Sequence, residues 1–125
     1  MSTKALLIVT ALIEVATGVA LLVVPSLTAE FLLGAGLYSP QARVVARVAG
    51  VALLFMGVTC WQARNGEPRA PCCIIVGVLI YDIAVPVLLL QAWFASALEG
   101  PGLWPACVLH TVLALWCIVS LRPIR

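Results

Sequence analysis

Four apolar stretches, at 5–24, 41–63, 72–95 and 103–121, are each long enough to cross a lipid bilayer, and they decide most of what this chain can become. A helix rises about 1.5 Å per residue, so roughly 20 residues cross the ~30 Å of hydrocarbon. No water inside that layer can bond a bare amide, so each stretch must satisfy its own backbone as a helix. Composition agrees: 64% of the 125 residues are hydrophobic and 10% are charged, against about a quarter charged in soluble domains. A soluble core of this size has no room for so much apolar surface. The expected fold is therefore all-α, a single integral membrane domain built as a four-helix bundle, with the lipid bilayer as its first partner. The span at 103–121 is the shortest.

Local punctuation supports these limits. Pro25 ends the first span, because a residue before proline leaves the helical region. Ser39-Pro40 opens the second as N-cap and first-turn proline, and Pro71 is expected to open the third in the same way. Gly100-Pro101-Gly102 reads as a tight turn before the fourth. Residues 26–33, closed by Gly34, form either a short amphipathic helix at the membrane surface, with Phe31 and Leu32 facing lipid, or irregular loop. The first span exceeds the 7–15 apolar residues of a removable signal, and Leu27-Thr28-Ala29 makes a poor cleavage site, so that helix is expected to stay.

Lys4, Arg64, Arg69, Arg122 and Arg125 fall on the side shared by the two termini and the second loop, whereas the loops at 25–40 and 96–102 carry no Lys or Arg. Arg43 sits just inside the second span. Positive loops stay cytoplasmic, which predicts both termini inside. Trp61, Trp93, Trp104 and Trp116 lie near span ends, where indole rings favour the interface. A net charge of +2 without a basic patch excludes nucleic acid as a partner. The short loops leave no soluble domain, so function is confined to the bundle interior, its lipid face, or contact with other membrane chains, as a homo-oligomer or within a larger complex.

Spans one and three are alike. Glu14-Val15-Ala16-Thr17-Gly18-Val19-Ala20-Leu21-Leu22 aligns with Asp82-Ile83-Ala84-Val85-Pro86-Val87-Leu88-Leu89-Leu90, an acid leading each and a helix-weakening residue following four positions later. Tyr38-Ser39-Pro40 and Trp104-Pro105 likewise set an aromatic and a proline at the start of spans two and four. One reading is a duplicated hairpin about an axis along the membrane normal; the other is chance similarity between apolar segments.

Each span holds one ionisable side chain away from its ends: Glu14, Arg47, Asp82 and His110. A charge at the bilayer centre costs about 2.5–3.5 kcal/mol, so such groups face protein and seek partners. Glu14 and Asp82 fall roughly 15 Å above one edge, and Arg47 and His110 roughly 10 Å below the other. These heights predict a central cluster in which Arg47 bonds Glu14 or Asp82 with His110 on the rim. Such a cluster either binds a polar ligand or a proton, or pairs internally to fix helix register. Pro86 lacks an N–H, so the Asp82 carbonyl loses its helical partner beside the carboxyl. Gly18, Gly57 and Ala46-x-x-x-Gly50 allow close helix approach.

Of the five cysteines, Cys60, Cys72, Cys73 and Cys117 map within about one turn of the cytoplasmic edge, where thiolates can hold a soft metal ion. The competing reading treats them as small apolar packing residues, because no C-x-x-C pair is present. Phosphate loops, H-E-x-x-H and G-x-S-x-G are absent, and the one lysine is terminal, so no catalytic residue is assigned.

Two resemblances add to this reading. The run Arg47-Val48-Ala49-Gly50-Val51-Ala52-Leu53-Leu54-Phe55-Met56-Gly57, with Trp61-Gln62-Ala63-Arg64 and Trp104-Pro105…His110, resembles small four-span bacterial proteins of DoxX-like type. The resemblance implies a bacterial inner-membrane location, and for some members a role as accessory subunits of quinone-linked oxidoreductases, with quinone as the implied cofactor. Ala11-Leu12-Ile13-Glu14-Val15 resembles the first span of small multidrug resistance transporters, in which a mid-membrane Glu exchanges protons for cationic drugs. On that resemblance Glu14 is the coupling carboxyl; the match ends with that span. The leading expectation is an accessory or ligand-, quinone- or proton-binding subunit. A proton-coupled transporter acting as an oligomer and a purely structural membrane subunit stand as alternatives.

Overall fold

The computed structural model describes residues 2–66 and 69–121. Five helices follow one another: α1 (Thr3–Val23), α2 (Pro25–Leu33), α3 (Pro40–Ala63), α4 (Arg69–Ser96) and α5 (Leu103–Leu121). Four of them are long and apolar enough to cross a membrane, the shortest with 19 residues. No strand occurs among the described residues. The chain has the architecture of a multi-pass membrane helix bundle.

The helix limits follow from the residues at them. Pro25 occupies the first turn of α2, where its missing N–H costs no hydrogen bond, and α1 stops at Val23. The Ser39 hydroxyl accepts a 3.0 Å bond from the Ala42 amide and so caps α3. Gly34 ends α2 in the left-handed conformation (φ 74°), donating its amide to Glu30 O at 2.9 Å. Residues 26–33 are thus helical. Helix α4 begins at Arg69, ahead of the boundary expected at Pro71, which lies within its first turn. A proline there removes no intrahelical bond, so the helix can start before it. Pro86 lies inside α4, which runs on to Ser96.

Packing divides the bundle into two antiparallel pairs: α1 lies mainly against α3, and α4 mainly against α5. The α1–α3 contact is close because small residues face each other. A Cβ on Gly18 would come 2.8 Å from Gly50 O, and a Cβ on Gly50 the same distance from Gly18 O. The buried apolar residues form two clusters. One, toward the end bearing Lys4 and Arg64, gathers Leu6, Leu7, Cys60, Ile75, Leu113 and Cys117. The other, toward α2, gathers Leu89, Leu103 and Cys107 with Leu32 and Trp93 packed on them. Large apolar side chains such as Val45, Phe55, Ile80, Phe94 and Leu115 point outward. That inverted surface fits lipid rather than water around the helices.

Aromatic side chains mark both ends. Trp93 packs edge-on against Phe94 and Trp104, with ring centroids 4.5 and 5.4 Å away. At the opposite end the Arg64 guanidinium lies 3.8 Å above the Trp61 ring and donates to the Trp61 carbonyl. Arg122 and Arg125 lie outside the described residues, as does the Arg69 side chain.

Candidate functional site

A polar layer separates the two apolar clusters. Thr10 and Glu14 stand one turn apart on the inward face of α1, Asp82 projects from the middle of α4, and His110 from α5. Glu14 and Asp82 are each 1% exposed and His110 8%. His110 Nδ1 lies 2.7 Å from Asp82 Oδ1. An ionised carboxylate can only accept, so in that state Nδ1–H donates. One donor atom from each of Glu14, Asp82 and His110 falls within 4.8 Å of the others. Among the described residues Glu14 Oε1, Asp82 Oδ2 and Thr10 Oγ1 have no hydrogen-bond partner, although all are buried. Three of the four ionisable residues singled out from sequence therefore converge.

The fourth does not. Arg47 is exposed on the outer face of α3 and makes no salt bridge among the described residues, where the single ion pair is His110–Asp82. Height along the membrane was the basis for expecting it in the cluster, and height says nothing about direction around the helix. The inward stripe of α3 is Gly50, Leu53, Gly57 and Cys60. Continued back at helical spacing it passes through Ala46, and Arg47 lies about 100° further round. Leu32 is a smaller correction: it packs on the Leu89–Leu103–Cys107 cluster, whereas Phe31 is 60% exposed as expected for a lipid-facing ring.

The four cysteines near the Lys4 end differ in burial. Cys60 and Cys117 are buried in the core, whereas Cys72 and Cys73 are exposed on α4. Adjacent positions on a helix diverge by about 100°, so a vicinal pair cannot both turn inward. Among the described residues, the three side chains with metal-ligand spacing are Glu14, Asp82 and His110.

Above the polar layer the two helix pairs part and leave a cavity of about 620 Å³. Ile13 and Thr17 line it from α1, Phe31 and Leu32 from α2, Val85 and Leu89 from α4, and Ala106 from α5. Thr17, Thr28, Tyr81 and His110 are the polar residues of its lining, and the Tyr81 and His110 rings meet edge to face at 5.4 Å. The volume lies within the ~300–1,000 Å³ of small-molecule pockets, and the walls are apolar with few polar groups. Sequence reasoning missed Tyr81 and Thr10. Thr10 was legible, four residues before Glu14 and so on the same helix face. The cavity itself had no signal, because it arises from the spacing between helix pairs.

Helix α2 is held over this cavity. The Gly102 amide donates to Phe31 O at 2.9 Å, and the Leu37 amide donates to the Ser26 hydroxyl at 3.0 Å. The first bond ties the end of α2 to the turn before α5, the second ties its start to the chain leading into α3.

Comparison with protein-family models, with curated proteins and with solved structures gives no match. The DoxX-like and transporter resemblances therefore rest on the quoted motifs alone.

Proposed function

We propose that this chain is a small bacterial inner-membrane subunit that binds a lipid-soluble amphiphile with a quinone-type head group. The observation that carries this reading is an apolar cavity of about 620 Å³ whose lining includes His110, itself paired with Asp82. The apolar body fills the space between the helix pairs, and the head group meets the imidazole. With Nδ1–H donating to the Asp82 carboxylate, Nε2 of a neutral ring accepts from a hydroxyl, and Nε2–H of an imidazolium donates to a carbonyl. One ring thus serves both the reduced and the oxidised head group. Both termini lie on the cytoplasmic side in this reading, with α2 and the cavity in the outer half, following Lys4 and Arg64 at one end. The subunit acts in a homo-oligomer or beside a larger redox complex.

The test is direct. Protein purified from native membranes in mild detergent is extracted with organic solvent, and prenylated quinones are measured by mass spectrometry. Binding of a short-chain quinol is then titrated against wild type, Asp82→Asn and Ala106→Trp. The expected result is co-purified quinone and at least tenfold weaker binding in both variants. Equal binding by wild type and the cavity-filling Ala106→Trp would refute the proposal.

A second reading rests on Glu14. Its Oε1 is buried without a partner among the described residues, in reach of the Asp82–His110 pair. That placement suits a proton carrier in an oligomeric transporter. Proteoliposomes that show proton-driven substrate uptake, lost with Glu14→Gln, would favour it over the subunit reading. Neither uptake nor quinone would leave a structural subunit.

A further inference from the structure

We propose that Glu14, Asp82 and His110 form a binding site for a first-row divalent cation. The proposal shares Asp82 and His110 with the amphiphile reading but does not depend on it. Three donors from three different helices lie within 4.8 Å of one another, two of them carboxyl groups and one an imidazole. All are at least nine-tenths buried, and two of their oxygens, Glu14 Oε1 and Asp82 Oδ2, have no hydrogen-bond partner among the described residues. A folded chain rarely buries such acceptors without something to satisfy them.

Charge points the same way. Two carboxylates set between apolar clusters need neutralising, by protons or by a counter-ion. Arg47, the one arginine near their height, lies on the outer face of α3, so it does not serve. A divalent cation balances two carboxylates and a neutral imidazole to zero net charge.

Donor chemistry selects the class of ion. Thiolates are not among the donors, which disfavours Cu(I) and Hg(II). Calcium requires about 6–8 oxygens, more than three side chains supply. Two carboxylate oxygens and one imidazole nitrogen suit Zn(II), Fe(II) or Mn(II). Bonds of about 2.0–2.2 Å set neighbouring donors roughly 3.0–3.6 Å apart. The widest donor separation therefore closes by about 1 Å, and the 2.7 Å His110–Asp82 contact opens by a few tenths of an ångström. Side-chain rotation supplies movements of that size. Three protein donors leave at least one position on the ion for water or for an oxygen of a bound molecule. Thr10 lies one turn before Glu14 on α1, and its buried Oγ1 has no hydrogen-bond partner among the described residues.

Cobalt(II) is the probe, because its visible absorption reports nitrogen and oxygen ligation. Full-length protein in mild detergent is freed of metal, titrated with Co²⁺, desalted and analysed by absorption and elemental mass spectrometry. The expected result is about one Co²⁺ per folded chain, displaced by Zn²⁺, with affinity lowered at least tenfold in Asp82→Asn and Glu14→Gln and unchanged in Arg47→Gln. A folded wild type that retains no stoichiometric Co²⁺ or Zn²⁺ overturns the site, as does unchanged binding in a folded Asp82→Asn or Glu14→Gln protein. If both variants fail to fold, the wild-type titration decides alone. Quinone is measured on the same preparation, so cobalt without quinone removes only the amphiphile reading, and quinone without cobalt removes only the metal.

Discussion

Replacing Gly18 with alanine tests the packing that holds Glu14 in place one turn earlier on α1. A Cβ at Gly18 would meet Gly50 O at 2.8 Å and both the amide nitrogen and Cγ of Leu54 at 3.0 Å, against 3.4 Å for ordinary contact. Two of those atoms belong to the backbone of α3 and cannot rotate away, so the helices must part by roughly 0.5 Å. Overpacking of this kind costs about 1–3 kcal/mol. Alanine also gains about 1 kcal/mol over glycine inside a helix, which offsets part of that cost. The net effect is a loss of about 0–2 kcal/mol. Gly77 provides the control: it is exposed on α4 and a Cβ there meets nothing within 4 Å. Gly77→Ala keeps the propensity gain of about 1 kcal/mol with no steric cost. Subtracting one variant from the other cancels propensity and leaves the packing term, about 1–3 kcal/mol. Thermal unfolding in mild detergent, where each kcal/mol shifts the midpoint by a few degrees, measures it. Equal shifts in the two variants would refute the close-contact argument.

Three further outcomes are expected. Arg47→Gln should change unfolding stability by no more than about 0.5 kcal/mol, because the side chain has no buried partner; a loss above about 2 kcal/mol would return it to the core. Leu113→Ala, 1% exposed, should cost about 2–5 kcal/mol in the same melts, and Leu115→Ala, 59% exposed, under about 0.5. In a cysteine-free background, Asn65→Cys should react with a membrane-impermeant maleimide only in inverted vesicles and Glu99→Cys only in intact cells; the reverse pattern would invert the proposed orientation.

What the chain disclosed before folding follows from which forces act locally. Span length and caps are local, so Pro25, Ser39 and Gly34 mark their helix ends without reference to the rest of the molecule. Convergence of Glu14, Asp82 and His110 was legible because buried polar groups seek one another and their heights matched. Arg47 matched in height too, but its side of the helix is fixed by Gly50 and Gly57, whose missing side chains let α1 approach there. The small residues were the better guide to direction than the charge. The cavity and the role of Tyr81 beside His110 depend on how far two helix pairs stand apart, a property of tertiary packing that no local run of residues encodes.

The bond between the Gly102 amide and the Phe31 carbonyl has a mechanical consequence. By chain connection α2 belongs to the α1–α3 pair, yet this bond fastens it to the start of α5 in the other pair. It therefore acts as a strap across the seam. Spreading the seam at that end must first give up the strap, while the side walls between α1 and α4 carry no comparable tie among the described residues. For the amphiphile proposed above, this asymmetry favours arrival sideways, from the membrane plane, over descent from water past α2.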